Sequence, residues 1–372
     1  MLAPGGTVGV LGGGQLGRML ALAAARLGLK THVYAPEPEN CAYDVATART
    51  IAPYTDETAL RLFAASADVV TYEFENVPAE TVDILAALGA RVAPGAKALA
   101  VAQDRVVEKE FARSIGAATA PFFAVDDLAS LEEGLKRIGR PAILKTRRLG
   151  YDGKGQTMIA AQATDLGVTW EQANHKAWEE IGARPSILEG FVDFACEISV
   201  IAARGRDGAV ALYDPPENRH GGGILRASMV PARVAAETAG RARDIAERML
   251  HALDYVGVIG VEFFVLRDGS VLVNEFAPRV HNSGHWTLDA CAVSQFEQHI
   301  RAIAGWPLGD PVRHSDAIME NLIGEEILRW SDLAATRGWC LHVYGKGEAR
   351  SGRKMGHVTR LEPRRPDGAQ GR

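Results

Sequence analysis

Two glutamates carry the first chemical signal in this chain. Glu262 lies in Val258-Ile259-Gly260-Val261-Glu262-Phe263-Phe264-Val265-Leu266 and Glu275 in Ser270-Val271-Leu272-Val273-Asn274-Glu275-Phe276. Both runs are rich in β-branched and aromatic residues, and Asp268-Gly269 between them is a type I′ turn signal. A two-residue turn makes Arg267 face Ser270, and counting back along both strands sets Glu262 opposite Glu275. Carboxylates so placed have Cβ atoms about 4.5–5.5 Å apart and repel. A divalent cation is the simplest compensation. Mg²⁺, with Mn²⁺ as a substitute, takes one or two carboxylates and fills its shell with water and substrate phosphates, so the pair predicts a nucleotide. The competing arrangement has both glutamates facing solvent on a sheet edge, or a register slipped by one residue.

Other residues with chemical potential precede the hairpin. Leu149-Gly150-Tyr151-Asp152-Gly153-Lys154-Gly155-Gln156 lies between strand-like runs. Its backbone amides can fold over phosphates while Lys154 adds charge, although no G-x-x-x-x-G-K-[ST] pattern is present and a bare hairpin turn also fits. Lys145 ends the apolar run Pro141-Ala142-Ile143-Leu144, where a lysine is ordinarily a snorkelling surface charge. Glu189 ends Ser186-Ile187-Leu188 and could accept from a ribose hydroxyl, with the backbone of Gly190, Phe191 and Val192 meeting an adenine edge. Glu217-Asn218-Arg219-His220-Gly221-Gly222-Gly223 reads as a polar, flexible loop suited to a lid.

The elements that must position these residues follow from periodicity. Thr7-Val8-Gly9-Val10-Leu11 is a buried strand entering Gly12-Gly13-Gly14-Gln15-Leu16-Gly17, and helical spacing of Leu16, Met19, Leu20, Ala23 and Leu27 follows, with a strand over 30–35. This βαβ unit fits G-x-G-x-x-G, with Glu37 twenty residues on; dinucleotide binding, another phosphate, or glycines needed only for packing are the three readings. Glu73 and Glu75 lie just past the strand over 68–72, at the end of a parallel sheet where ligands bind. A helix over 104–115 opens a second unit. Strands over 121–125, 141–145 and 186–192, helices over 128–138 and 233–253, and the hairpin complete it.

Composition limits the function classes. The 372 residues are 47% hydrophobic and 23% charged, with a formal net charge of -5, which argues against non-specific nucleic-acid binding. No apolar run reaches the ~18 residues of a membrane span, and the N-terminus lacks a signal-peptide pattern, so a cytoplasmic protein with no membrane partner is expected. Cys41, Cys196, Cys291 and Cys340 are far apart and form no metal-binding spacing.

In chain order, Lys145, the glycine loop, Glu189 to Val192, Glu197 and the Glu262/Glu275 pair resemble the ATP-grasp superfamily. Within it the chain looks like the N5-carboxyaminoimidazole ribonucleotide synthetase family. The close matches are Gly12-Gly13-Gly14-Gln15-Leu16-Gly17-Arg18-Met19, Tyr72-Glu73-Phe74-Glu75-Asn76-Val77, Gly150-Tyr151-Asp152-Gly153-Lys154-Gly155-Gln156, Asn274-Glu275-Phe276-Ala277-Pro278-Arg279-Val280-His281-Asn282-Ser283-Gly284-His285, Tyr344-Gly345-Lys346 and Arg353-Lys354-Met355-Gly356-His357.

The resemblance implies a mixed α/β and α+β architecture, an ATP-grasp fold. A Rossmann-like pre-ATP-grasp domain would cover 1–100, an ATP-grasp domain 101–308 with a lid over about 120–195, and a small β-rich domain 309–372. It implies that Arg105, Lys145, Gly150, Tyr151, Asp152, Gly153, Lys154, Gly155, Gln156, Glu189, Gly190, Phe191, Val192, Glu197, His220, Asn274 and Glu275 bind ATP, and that Glu262 and Glu275 hold Mg²⁺. Gln15, Leu16, Glu73, Asn282, Ser283, His285, Lys346, Arg353 and Lys354 would bind 5-aminoimidazole ribonucleotide. Tyr151, Asp152, Lys154, Arg279 and His281 would serve catalysis with bicarbonate, in a homodimer. Two departures stand out: Ala277 replaces an asparagine common in the superfamily, and Arg105 a lysine. The competing readings are a formate-dependent glycinamide ribonucleotide formyltransferase or biotin carboxylase, an NAD-dependent oxidoreductase, and a non-catalytic nucleotide-binding regulator.

Overall fold

The computed structural model describes residues 1–150, 154–161 and 169–365. Its strands form three sheets. The first is wholly parallel, in the order Ala48–Ile51, Lys30–Ala35, Thr7–Leu11, Val69–Tyr72. The chain therefore reverses direction across the sheet between Thr7–Leu11 and Val69–Tyr72. Ligand crevices form at such a switch point, outside the carboxyl ends of the strands. The helix Gln15–Arg26 follows the first strand and buries Leu16, Met19, Leu20 and Ala24, so the apolar stripe read from the sequence is the packed one. The segment 91–94 contributes only a parallel bridge, Val92 to Val70.

The second sheet positions the carboxylates. Its order is Val271–Ala277, Gly257–Val265, Cys196–Arg204, Glu217–Gly221, Ile224–Val230, Ser315–Ile323, Lys354–Pro363, Trp339–Val343, with Val210–Leu212 added to Cys196–Arg204. The C-terminal segment is β-rich, but its strands extend this sheet through Ile224–Val230 and form none of their own. The stretch 217–221, read as a flexible lid, is also corrected. It pairs with both Cys196–Arg204 and Ile224–Val230, because Asn218 finds polar partners on both sides, and only 222–223 form the turn.

The third sheet, Phe122–Val125, Ser186–Gly190, Ala142–Thr146, Gln156–Ile159, is antiparallel and carries the helices Leu128–Ile138 and Trp170–Glu180. Helix Arg105–Ser114 begins where Asp104 accepts the Val106 and Val107 amides. Asp104 also holds Arg147 at 2.7 Å, which ties this helix to the third sheet. The parallel sheet is fixed to the central one by Gln295–Ala304, whose Phe296, Ile300 and Ile303 share a core with Leu20, Val10, Ile201 and Val258. No helix among the described residues is long and apolar enough to cross a membrane.

Candidate active site

A cleft of about 650 Å³ lies where the three sheets meet. The hairpin forms one wall. Glu262 does face Glu275, by a route the sequence did not show. The Gly269 amide donates to the Leu266 carbonyl and the Leu266 amide to Ser270, both at 2.9 Å, enclosing a three-residue loop with Gly269 at φ 79°. This is a type I turn completed by a left-handed glycine. It shifts the register by one, so Phe263 meets Val273, and Arg267 does not face Ser270. A bulge at Asn274 then shifts the register back. Lys109 Nζ donates to the Asn274 carbonyl, so the bulge is held from the helix Arg105–Ser114.

Glu262 also pairs with Ser199, and Asn218 with Glu197 and Ser228. Residues opposite one another in antiparallel strands share a face. The polar set therefore lines the cleft side, while Val261, Phe263, Ile198 and Val200 fill the core behind it.

The repulsion between the two glutamates is relieved by side chains. Arg105 Nη1 lies 2.7 Å from Glu275 Oε2, and His281 Nε2 lies 3.2 Å from Glu262 Oε1. This corrects the expectation that a divalent cation is what compensates: the Arg105 guanidinium and a ring nitrogen of His281 reach the pair from other segments of the chain. Burial pushes the Glu275 carboxyl up, but Arg105 and the nearby Lys145 and Lys109 hold it well below the usual carboxylate range. The donor set nonetheless fits a hard cation: opposed carboxylates beside an Asn274 side-chain oxygen that is buried with no partner. Glu197, His220 and Glu262 also place ligand atoms within 4.8 Å of one another.

Of the residues expected to bind ATP, Arg105, Lys145, Gly150, Lys154, Gln156, Glu197, His220 and Asn274 line the cleft, as does Glu275. Glu189 does not, and the reading of it as a ribose acceptor fails in this structure. It is 3% exposed, and its carboxylate takes Lys145 at 2.6 Å and Lys109 at 3.5 Å. Burial raises that carboxyl, and the two ammonium groups more than reverse this, to about 2. Glu189 thus aims Lys145 at the cleft. Glu197 and His220 pair at 2.6 Å; burial lowers the imidazole, but the Glu197 hydrogen bond and charge raise it overall. Gly155, Gly190, Phe191 and Val192 stand off the wall, Phe191 being exposed. Tyr151, Asp152 and Gly153 lie outside the described residues.

At the opposite end, the glycine loop of 12–17 is already filled by the carboxyl group of Glu73, which burial pushes up overall although the Gly17 and Gly14 amides oppose this. The Glu73 oxygens accept from the Gly14 amide and, at 2.6 Å, from the Gly17 amide at the start of Gln15–Arg26. The glycines admit it: a Cβ on Gly12, where φ is 103°, would lie 2.4 Å from Glu73 Cγ. The expected phosphate cradle is therefore filled by the chain itself, which removes the structural basis for dinucleotide binding. Beside it, Gln15, Leu16, Asn282 and Lys354 line the cleft, with both polar ends of Asn282 buried and unpartnered. Lys346 is near enough to feel Glu73, Arg353 and Lys354. Burial pushes its amine down to about 8. Arg279 reaches the cleft from the segment after Glu275 and is paired with Glu75, whose carboxyl burial raises and Arg279 lowers overall.

Ser283 and His285, expected at the substrate, are enclosed. His285 packs against Phe296, Tyr344 and His357, and Ser283 bonds Ser199 and His281. Ser283 lies within the turn Asn282–Gly284 and His285 just after it, and of these residues only Asn282 lines the cleft.

Three family models match consecutive segments of the chain. The ribonucleotide synthetase preATP-grasp domain covers 6–103, the ATP-grasp domain 110–296, and the phosphoribosylaminoimidazole carboxylase C-terminal domain 317–370. The chain is 54% identical over 363 residues to N5-carboxyaminoimidazole ribonucleotide synthase of Brucella melitensis biotype 1, covering 98% of each. The chain belongs to the N5-carboxyaminoimidazole ribonucleotide synthase family. Solved members are similar throughout. The Thermus thermophilus synthetase is 47% identical with a TM-score of 0.87, over 95% of this chain and 93% of that one. The Aspergillus clavatus synthase, solved with ADP and 5-aminoimidazole ribonucleotide, is 30% identical with a TM-score of 0.88, over 97% and 94%.

As a family member, the chain has the ATP-grasp fold with its preATP-grasp and C-terminal domains. Both opposed glutamates fall within the ATP-grasp match, and Lys346, Arg353 and Lys354 within the C-terminal one. Glu108, which lines the cleft and accepts the Phe276 amide, was not read as a site residue, nor were Lys109, Ser199 and Asn218. Arg105 and Lys109 sit four apart on one helix and so face one way, a spacing that could have exposed Lys109. Ser199 and Asn218 resemble any solvated strand position until the sheet order is known.

Proposed function

We propose that this chain is an ATP-dependent ligase that joins bicarbonate to the amine of 5-aminoimidazole ribonucleotide, giving N5-carboxyaminoimidazole ribonucleotide, ADP and phosphate. The observation that carries this is a single cleft shared by the opposed carboxylates, the Lys145 and Lys154 side of the third sheet, and the Gln15, Glu73, Lys354 end. Both the phosphoryl donor and a ribonucleotide have a place there.

Bicarbonate is a poor electrophile because its leaving group would be hydroxide. An oxygen of bicarbonate attacks the γ-phosphorus, ADP departs, and the resulting carboxyphosphate is attacked at carbon by the amine, which expels phosphate and loses a proton. Phosphoryl transfer leaves a protein mainly positioning and charge neutralisation to do. Magnesium held by Glu262 and Glu275 would neutralise the ATP phosphates. Lys145, fixed by Glu189, and Lys154 supply positive charge along the nucleotide; Arg279, fixed by Glu75, faces the carboxylate being transferred. Lys346, Arg353 and Lys354 form the positive region for the ribonucleotide phosphate, and Gln15, Leu16, Glu73 and Asn282 border its sugar and base. The loop over 151–155, of which 151–153 lie outside the described residues, would close the cleft against water, which would otherwise hydrolyse carboxyphosphate. We also infer a cytoplasmic homodimer, supported by the family resemblance.

ADP release measured with bicarbonate, with and without 5-aminoimidazole ribonucleotide, tests the proposal. Strong stimulation by the ribonucleotide is expected; stimulation by glycinamide ribonucleotide with formate, or by biotin, would replace this ligase with another of the superfamily.

A further inference from the structure

The cleft face of the central sheet holds a line of buried polar side chains that leads away from His281. Ser283 Oγ lies 2.8 Å from His281 Nδ1, Ser199 Oγ 2.6 Å from Ser283 Oγ, Asn218 Nδ2 3.0 Å from Ser199 Oγ, and Ser228 Oγ 2.8 Å from Asn218 Oδ1. All three serines are fully buried and Asn218 nearly so. Hydroxyls can donate or accept, so such a chain has no direction until its ends are fixed.

Both ends of the histidine are fixed. The Ser283 backbone amide, which can only donate, also points at His281 Nδ1, at 3.4 Å. At the other side of the ring, Nε2 meets a Glu262 carboxylate oxygen at 3.2 Å, which as a carboxylate can only accept. Nδ1 is therefore the acceptor and Nε2 carries the proton. The rest follows link by link. Ser283 donates to Nδ1, Ser199 donates to Ser283, the Asn218 amide donates to Ser199, and Ser228 donates to the Asn218 carbonyl. The backbone of His281 is clamped as well, its amide donating to Gln295 Oε1 at 2.9 Å and its carbonyl accepting from Gln295 Nε2 at 2.7 Å.

We propose that Ser283, Ser199, Asn218 and Ser228 are positioning residues that hold His281 as the Nε2–H tautomer, so that it presents a hydrogen-bond donor to the cleft. This deepens the reading of the site as a carboxylating ligase, on which its meaning for turnover rests. It assigns His281 to orienting Glu262 and an incoming carboxylate oxygen, and it denies Nε2 the role of base for the amine while the relay is intact. Three strands and a turn contribute to the line that ends on one ring nitrogen, and a solvated histidine needs none of them.

The test is nitrogen NMR of the full chain labelled with ¹⁵N-histidine, with the His281 signals identified by their loss in His281→Gln. The wild-type protein is expected to show His281 as one Nε2–H form. Ser283→Ala, and more weakly Ser199→Ala, should mix the tautomers at unchanged thermal melting, with kcat for carboxylation down about 10-fold to 100-fold and the ATP KM unmoved, the usual scale for partners that orient a histidine. An Nδ1–H or doubly protonated His281 in the wild-type protein, or a Ser283→Ala protein that keeps one tautomer, overturns the proposal. If wild-type protein shows the Nε2–H form but no turnover of aminoimidazole ribonucleotide, the relay stands and the ligase reading falls.

Discussion

Arg105 gives the sharpest prediction, because it both occupies Glu275 and faces the nucleotide end of the cleft. In this structure its guanidinium takes the carboxylate that a metal would need. Taking the charge centres ~4 Å apart in a medium of effective dielectric about 20, the attraction is about 4 kcal/mol. The side chains are 19% and 40% exposed, so screening by cleft water reduces this to about 2 kcal/mol. A metal binding alone must overcome that pairing. A metal arriving with ATP need not, since the phosphates then engage Arg105. Arg105→Met should therefore bind Mn²⁺ in the absence of nucleotide about 30-fold more tightly than wild type, since 1.4 kcal/mol is about tenfold. Its KM for ATP should nevertheless rise. Because coupling between ligands is reciprocal, the strengthening of Mn²⁺ binding by ATP should shrink by the same factor. Electron paramagnetic resonance titration of free Mn²⁺, with and without a non-hydrolysable ATP analogue, measures both. Unchanged or weaker Mn²⁺ affinity in the variant would show that Arg105 does not guard Glu275 and that the metal sits elsewhere.

Further outcomes follow from other parts of the cleft. A Cβ on Gly17 would lie 2.9 Å from the Gly12 carbonyl, backbone that cannot swing away, so Gly17→Ala should cost about 1–3 kcal/mol in urea unfolding. With Glu73 filling the glycine loop, NADH should show no fluorescence change on titration with the protein; saturable binding would restore the dinucleotide reading. Lys346, pushed down to about 8 by burial, is charged below that pH and neutral above it. kcat/KM for aminoimidazole ribonucleotide should fall about tenfold per pH unit above 8, and Lys346→Arg should flatten the profile because arginine stays charged. Lys154→Ala should raise ATP hydrolysis relative to product formed; unchanged coupling would remove Lys154 from the closing of the cleft.

Short-range patterns were readable where local physics is decisive. The stripe Leu16, Met19, Leu20 marked its helix, and the strand runs around Glu262 and Glu275 marked the hairpin. The opposition of the glutamates was read correctly from a wrong turn. Asp268-Gly269 serves a two-residue I′ turn or the last part of a three-residue loop equally well. The loop that forms displaces the register, and the bulge at Asn274, clamped by Lys109 from a helix 165 residues earlier, restores it. Nothing local signals that bulge. The same holds for the cations: Arg105 beside Glu275, Lys145 and Lys109 on Glu189, Arg279 on Glu75 are all contacts between remote segments. Glu73 was placed correctly at a strand end, yet that it fills the glycine loop depends on the strand order. Ser283 and His285 share a motif with Asn282 and were grouped with it, although a single turn of 3₁₀ helix sends them the other way.

The bulge at Asn274 has a consequence for how this hairpin can change. Loop and cleft face are separated by a point at which the ladder resets its own count, so a lengthened or exchanged tip need not turn the two carboxylates away from each other. The tolerance ends at the bulge: deleting Asn274 would leave Glu262 opposite Glu275, but it would remove the carbonyl that Lys109 holds and the side-chain oxygen beside the carboxylates. Variation among related chains should therefore collect at 267–269 and stop short of 274.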